Sequence, residues 1–357
     1  MLLEGLHIPL TTPFHPDGRL NLPKLTSNVV RYSKTPAAGL ILLGPSGEST
    51  LLSDDETREV LRTAAESAAP EKVLIAGISH DSVRANLTLA IFAAEQNYDA
   101  VLVSAPSVLS SGPTDRPQSI AHLRELLTYF QALADNSPLP IILLSTSDRA
   151  IPNEAVVELA AHSRIIALLD TQSRNPRSDA FEQLVRLTVA SRQEVTVTHT
   201  FAAVTSRMKK AAGHSHQSLV LATSLSATAI AVAEPLAPPT LRTRTKTVGF
   251  QILAGHTEAM LDCVIAGAVG VAPAFAACAP QASYEVFAAW KDGDRPLAAE
   301  KQARLIEAAR LAESTPATLK FACDLNGYFG GLPRLPHLPP NGAQRTELEQ
   351  LMKPLRN

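Results

Sequence analysis

The chain has 357 residues, 45% of them apolar and 4% aromatic, enough for one large α/β barrel or two ordinary domains. Its 32 basic and 34 acidic side chains leave a formal net charge of −2, which gives neither nucleic acid nor an anionic membrane an electrostatic hold. Three scattered cysteines (Cys263, Cys278, Cys323) fit reduced thiols, no apolar run reaches the ~18 residues of a membrane helix, and no signal or transit segment is legible after Met1, so the expectation is a cytoplasmic protein without membrane or nucleic-acid partners.

Short apolar runs alternate with longer amphipathic stretches, the pattern of a repeated β/α unit with a parallel sheet. In chain order the strand-length runs are His7–Leu10, Leu40–Leu43, Val73–Ile78, Ala100–Val103, Pro140–Leu144, Ile165–Leu169, Gln251–Leu253 and Gly270–Ala274. Strands of a closed barrel are buried on both faces and read as continuously apolar, so eight such runs predict a (β/α)8 barrel. Helices are predicted over Ser53–Ala68, Asp81–Gln96, Ile120–Ala134, Asn153–Ala161 and Asp179–Ala190, with Ser53, Asp81 and Asn153 as N-caps and a capping box joining Ser53 to Glu56. From Pro296 the chain reads as helix to Asn326, breaks at Gly330-Gly331-Leu332-Pro333, and resumes near Gln344.

One interval departs from this rhythm. A helix and two short loops between strands six and seven need about 20–30 residues, yet Asp170 and Gln251 are much farther apart. Residues 195–249 read as an extra block with 15 Ser/Thr, 10 Ala, six basic residues and a single acid, Glu234. That composition favours a flexible, poorly packed insert over a second core, and predicts that folding does not need it. A surface loop, a retained intron or faulty gene model, and a lid are the alternative readings.

Reacting groups of a (β/α)8 barrel sit at the C-terminal ends of its strands. The polar residues there are Thr11, Thr12, Ser46, His80, Ser104, Ser145, Asp170 and His256. In Gly44-Pro45-Ser46-Gly47-Glu48-Ser49, glycines allow close backbone approach, and a hydroxyl with consecutive N–H groups can hold a carboxylate; a tight strand-to-helix turn is the plainer alternative. His256 and Asp170 form a candidate acid–base pair, because histidine titrates near neutrality. His80, Asp170 and His256 offer two imidazoles and a carboxylate, but without the spacing of a metal motif, so neither a metal nor a cofactor is assigned. Arg334 is available for a structural ion pair where the tail docks.

The stretches Gly5-Leu6-His7-Ile8-Pro9-Leu10-Thr11-Thr12-Pro13-Phe14, Leu40–Ser49 with Ser53-Asp54-Asp55-Glu56, Ile165–Asp170, Gly267-Ala268-Val269-Gly270-Val271 and Gly327–Arg334 follow one another in an order that resembles the dihydrodipicolinate synthase / N-acetylneuraminate lyase family, which includes 4-hydroxy-2-oxoglutarate and 3-deoxy-sugar-acid aldolases. The likeness runs over roughly residues 4–193 and 249–353. It implies a TIM barrel (1–312, with 195–249 inserted) carrying a C-terminal helical extension (313–357), assembled as a homodimer or homotetramer. It also implies a lyase whose strand-six lysine forms a Schiff base with a 2-oxo acid such as pyruvate, held by two adjacent hydroxyls after strand two.

This chain departs from that pattern at four places. Leu169 stands where the resemblance puts the lysine, and Leu144-Ser145-Thr146-Ser147 stands for a tyrosine-asparagine-any-proline run whose tyrosine relays protons. Ala105-Pro106-Ser107 replaces an aromatic pair, and Pro45 replaces the first hydroxyl while Ser46 is kept. The expectation is a lyase-family protein acting on a small oxo-acid or carbonyl substrate without an imine. Asp170, His256 and Ser145 are its catalytic candidates, and Ser46, Gly47, Thr12 and Ser104 its substrate-binding ones. A repurposed enzyme of secondary metabolism and an inactive binding or scaffold homologue are the alternatives.

Overall fold

Each of the eight apolar runs forms a strand, and the strands close into a parallel barrel. The computed structural model describes residues 1–109, 120–172, 179–191, 195–199, 204–214 and 244–355. The first six barrel strands are β1 (Gly5–Pro9), β2 (Gly39–Leu42), β3 (Val73–Gly77), β4 (Ala100–Ser104), β5 (Ile141–Ser145) and β6 (Ile165–Asp170). Two strands of the insert follow, β7 (Val195–His199) and β8 (Arg244–Val248), before β9 (Gln251–Ala254) and β10 (Gly270–Val271) complete the barrel, where Gly5 of β1 lies opposite Gly270. Side chains alternate between two apolar layers, as the period-two geometry of a strand requires. In β6, Leu168 packs outward against the helices, while Leu169 joins Ile41, Leu102, Leu144 and Leu253 inside the barrel.

The N-terminal segment plugs the lower end of this interior. Leu2 and Leu3 belong to the inner cluster, and Gln251 secures them by accepting from the Leu3 amide at 2.8 Å and donating to the Met1 carbonyl at 2.9 Å. His7 is fully buried nearby, with Nε2 3.0 Å from the Leu3 carbonyl oxygen. Burial disfavours the imidazolium, and holds this pKa down to about 4 despite the backbone hydrogen bond.

A helix follows each barrel strand: α1 (Leu22–Ser33), α2 (Asp54–Ser67), α3 (Val83–Glu95), α4 (Ile120–Asn136), α5 (Asn153–Ala160), α6 (Asp179–Ser191) and, beyond the insert's α7 (Ser206–His214), α8 (Met260–Ile265) and α9 (Pro280–Lys291). The capping box forms as expected, with the Ser53 amide donating to Glu56 at 2.9 Å and the Glu56 amide to Ser53 Oγ at 3.3 Å. Two other caps differ from the sequence reading. Ser82, not Asp81, caps α3 by accepting from the Ala85 amide at 3.3 Å, because the Asp81 carboxylate is engaged by the amide and hydroxyl of Ser107. Asn153 is the first residue of α5, and Pro152 takes the cap position with φ −57, the angle its ring imposes.

The tail adds α10 (Arg295–Ala312), α11 (Pro316–Leu325) and α12 (Gly342–Met352). What reads in sequence as one helix from Pro296 to Asn326 is interrupted at Glu313–Thr315. There Thr315 caps α11 reciprocally with Thr318, and Pro316 occupies its first turn.

The ribbon of the insert, with Val195 opposite Val248, lies outside the barrel sheet. Helix α7 docks where β3 and β4 begin. The Ser206 amide donates to Asp99 Oδ1 at 2.6 Å, and Arg207 donates to the Ala68 and Ala69 carbonyls at 3.3 and 3.0 Å. The chain leaves the barrel between β6 and β9, across from β2 and β3. The described part of the insert therefore crosses the end of the barrel opposite the strand C-termini.

Since every barrel pairing forms without β7, β8 or α7, replacing residues 200–243 by a short Gly/Ser bridge should leave one cooperative transition, with a Tm lowered by no more than a few degrees. A variant that unfolds broadly or aggregates on expression would show that the block belongs to the core. The buried His7 gives a second expectation. Below its ordinary pKa near 6.5 the unfolded chain takes up a proton that the folded protein refuses until about pH 4. Stability should therefore fall as pH drops through that window, by on the order of 3 kcal/mol. Urea titrations at pH 7, 5.5 and 4.5 should show this slope, and His7→Leu should flatten it.

Candidate active site

At the C-terminal end of the barrel the strand ends surround a cavity of about 310 Å³. Its floor is the top of the barrel interior: Ile41 from β2, Leu169 from β6 and Ala272 after β10 line the cavity and also belong to the inner apolar cluster. Register places Leu144 directly beside Leu169. Leu144 and Leu169 thus pack in one apolar layer. Pro9, Pro45, Ala274, Pro316 and Leu319 continue the apolar wall, and its polar lining includes Ser46, Thr146, Asp148, Gln172, His256 and Glu313. Among the described residues, none lining the cavity is a lysine, arginine or cysteine.

Of the residues singled out in the sequence, Ser46 and His256 line the cavity. Thr12 and Gly47 hold the loop's shape: Thr12 Oγ1 donates to the Gly47 carbonyl at 2.7 Å, and the Gly47 amide donates to Gly44 at 2.9 Å. Leu43 and Glu48 flank the loop with left-handed φ angles of 58° and 51°, conformations that branched or bulky side chains adopt only when their surroundings impose them. Ser104 lies beside a second, smaller cavity of about 220 Å³ lined by His80, Asp81 and Arg149, and accepts from the Arg149 guanidinium at 3.4 Å.

Strand alternation turns Ser145 and Asp170 toward the outer layer, the side of Leu143 and Leu168. They reach the cavity through Gln172, which lines it. The Gln172 amide donates to Asp170 Oδ1 at 2.8 Å, and its side chain donates to Ser145 Oγ, which also accepts from the Ile151 amide at 2.9 Å. Burial, with the Asp170 charge as the next contribution, pushes the Cys263 thiol up to about 12. His80, Asp170 and His256 therefore face three different surroundings, and among the described residues no group of three His, Cys, Asp or Glu is placed to hold a metal ion.

Sequence reasoning missed Gln172 and Glu313. Oε1 of Glu313 accepts from Thr257 Oγ1 and from the Phe275 amide, both at 2.8 Å. One carboxylate thus ties the loop carrying His256, the turn after β10 and the junction of α10 with α11. The available signal was Thr315-Pro316, a cap residue followed by proline, which marks a helix start inside an apparently continuous helix.

Beneath the loop after β2 lies a buried charge cluster. Lys320 of α11 is fully buried, paired with the equally buried side chain of Glu48, and sits 4.2 Å from the centre of the Phe14 ring. Burial lowers the Lys320 pKa, opposed by the Glu48 charge. Glu48 Oε2 also accepts from the Arg334 amide at 2.9 Å. The Arg334 guanidinium lies 4.5 Å from the same ring and grips Glu56 with two bonds of 2.7 and 2.5 Å. That grip holds the Glu56 carboxyl at about 2. Arg334 thus makes the ion pair its position suggested. Gly330 permits the approach, because a Cβ there would fall 1.9 Å from the Lys320 carbonyl oxygen.

A model of the dihydrodipicolinate synthetase family matches residues 2–190 and 239–355. The chain belongs to this family. The unmatched stretch falls almost wholly within the insert. The 4-hydroxy-tetrahydrodipicolinate synthase of Acidiphilium cryptum is 26% identical over 356 residues, 98% of both chains. That of an Exiguobacterium species is 26% identical over 357 residues, 99% of this chain and 98% of its own. The solved dihydrodipicolinate synthase of Thermotoga maritima superposes with a TM-score of 0.74 at 19% identity, covering 99% of each chain. The Bacillus anthracis enzyme gives 0.74 at 20% identity, covering 100% of each. At such identities the structural likeness is one of fold. No helix among the described residues is long and apolar enough to cross a membrane.

Removing Lys320 alone would strand a buried carboxylate. Lys320→Met should lower stability by about 3–5 kcal/mol, whereas Lys320→Met combined with Glu48→Gln should recover more than half of the loss. Urea unfolding of the three proteins checks this; a single substitution with less than about 1 kcal/mol of effect, or a double variant without recovery, contradicts the role given to the pair.

Proposed function

We propose that this family member cleaves or forms a carbon–carbon bond of a small oxo-acid or carbonyl compound by acid–base catalysis, without a Schiff base, working as a homodimer or homotetramer. Family membership supports the lyase class. The observation that carries the rest is Leu169 in the cavity floor, with Leu144 beside it in the same apolar layer; the family resemblance gives these two positions to the lysine and the tyrosine. Leucine offers no nucleophile and no proton, so the chemistry falls to the polar groups above it. In the cleavage direction His256 takes the proton of a hydroxyl one carbon removed from the carbonyl carbon's neighbour. The bond between those two carbons breaks, and its electrons pass into the carbonyl as an enolate. Ser46 or Gln172 donates a hydrogen bond to the oxygen where that charge develops, and the proton returns to carbon as the products separate. Ser145 and Asp170 act through Gln172 by fixing its backbone and side chain. A binding or scaffold role is the second reading.

Borohydride reduction in the presence of pyruvate, followed by intact-mass measurement, should show no adduct; a stoichiometric adduct on any lysine refutes the imine-free mechanism. In a screen of aldol substrates, His256→Ala should lower kcat about 10²–10⁴-fold, the usual range for a general acid–base residue. If no carbon–carbon turnover is found across the screen, the binding or scaffold reading takes its place.

A further inference from the structure

We infer that the cavity takes a neutral ketone or aldehyde with an alkyl or aryl tail, seated tail-first on Leu169, in preference to a 2-oxo acid. This rests on the proposed reading that the cavity is the reacting site, and it names the substrate class. The deepest part of the cavity is hydrocarbon: Ile41, Leu169 and Ala272 are continuous with the sealed apolar interior. A carboxylate or carbonyl oxygen pushed against that layer would lose its water without gaining a donor. The apolar end of a ligand loses nothing there.

The loop after β2 argues the same way. Pro45 has no amide hydrogen, and the Gly47 amide is already engaged by the Gly44 carbonyl. Of that loop only Ser46 can meet the ligand with a hydroxyl, which suffices for a neutral carbonyl oxygen but is a poor replacement for the water around a carboxylate. The acids Asp148 and Glu313 also line the cavity and disfavour a further negative charge. Volume argues the same way: a cavity of about 310 Å³ is larger than pyruvate needs, and so small a molecule held at the polar groups would leave the apolar floor uncovered.

The test is calorimetric titration of the full-length protein with two matched series, the 2-alkanones from butanone to nonan-2-one and the 2-oxo acids of the same chain lengths. Affinity for the ketones should rise about three- to fourfold per methylene and level off once the tail covers the apolar floor, with each oxo acid at least tenfold weaker than its ketone. Leu169→Ala should move the plateau to longer chains and Leu169→Phe to shorter ones. The two variants change the floor in opposite directions, so loss of fold in one leaves the other as a measurement. Ser46→Ala should weaken every ketone by a common factor. Affinity independent of chain length, oxo acids binding as well as ketones, or a plateau that ignores Leu169 would each overturn the inference. The two proposals fail separately: a length-dependent ketone profile without carbon–carbon turnover refutes the lyase reading alone, and turnover of a 2-oxo acid with no affinity for ketones refutes this one alone.

Discussion

A lysine and a glutamate that never reach solvent hold the C-terminal extension onto the mouth of the barrel. The Lys320–Glu48 pair joins α11 to the loop after β2, two segments that a barrel alone has no reason to bring together. Neither charge can be removed singly without leaving the other desolvated, so the pair fixes which turn of α11 faces the loop. Arg334 extends the arrangement by bonding to Glu48 through its amide and to Glu56 through its guanidinium, so the capping box of α2 and the tail share one carboxylate. Phe14, with Lys320 and Arg334 both stacked near its ring, separates two like charges that would otherwise repel.

The cavity inherits its shape from this cluster. Because α11 is held at Lys320, the preceding residue Leu319 and the first-turn Pro316 become cavity wall, and the break before them places Glu313 at the rim. Glu313 then returns the constraint to the barrel by bonding to Thr257 and Phe275. The result is an apolar well with a polar collar. Lysine and tyrosine at positions 169 and 144 would have put polar groups at the bottom of that well. Leucines there join the inner cluster instead, which leaves the polar groups to the collar.

The described part of the insert lies away from this surface. It meets the barrel through Thr205, Ser206 and Arg207, where β3 and β4 begin, the full depth of the barrel away from His256. Asp99 links the two, since one of its oxygens accepts from the Leu74 amide inside the barrel and the other from Ser206. Burial raises the Asp99 pKa against those hydrogen bonds, the mark of a carboxylate held in place by its neighbours' geometry.

The sequence by itself determined the barrel. Eight continuously apolar runs are explained by strands buried on both faces, and local chemistry at Ser53 and Glu56 was enough to place a helix start. It also determined that no lysine stands at position 169, since a residue's identity needs no coordinates. What only the tertiary structure decided is which polar residues meet. Ser145 and Asp170 look in sequence like site residues because they end strands, but a strand's two-residue period sends them outward and leaves Gln172 to represent them. Thr12 and Gly47 turn to each other and not to the cavity. Glu313 and Lys320, far along the chain, enter the site's architecture through long-range contacts that no local pattern encodes. Periodicity reports the faces of an element; which faces are brought together is set by packing, and packing is a property of the whole chain.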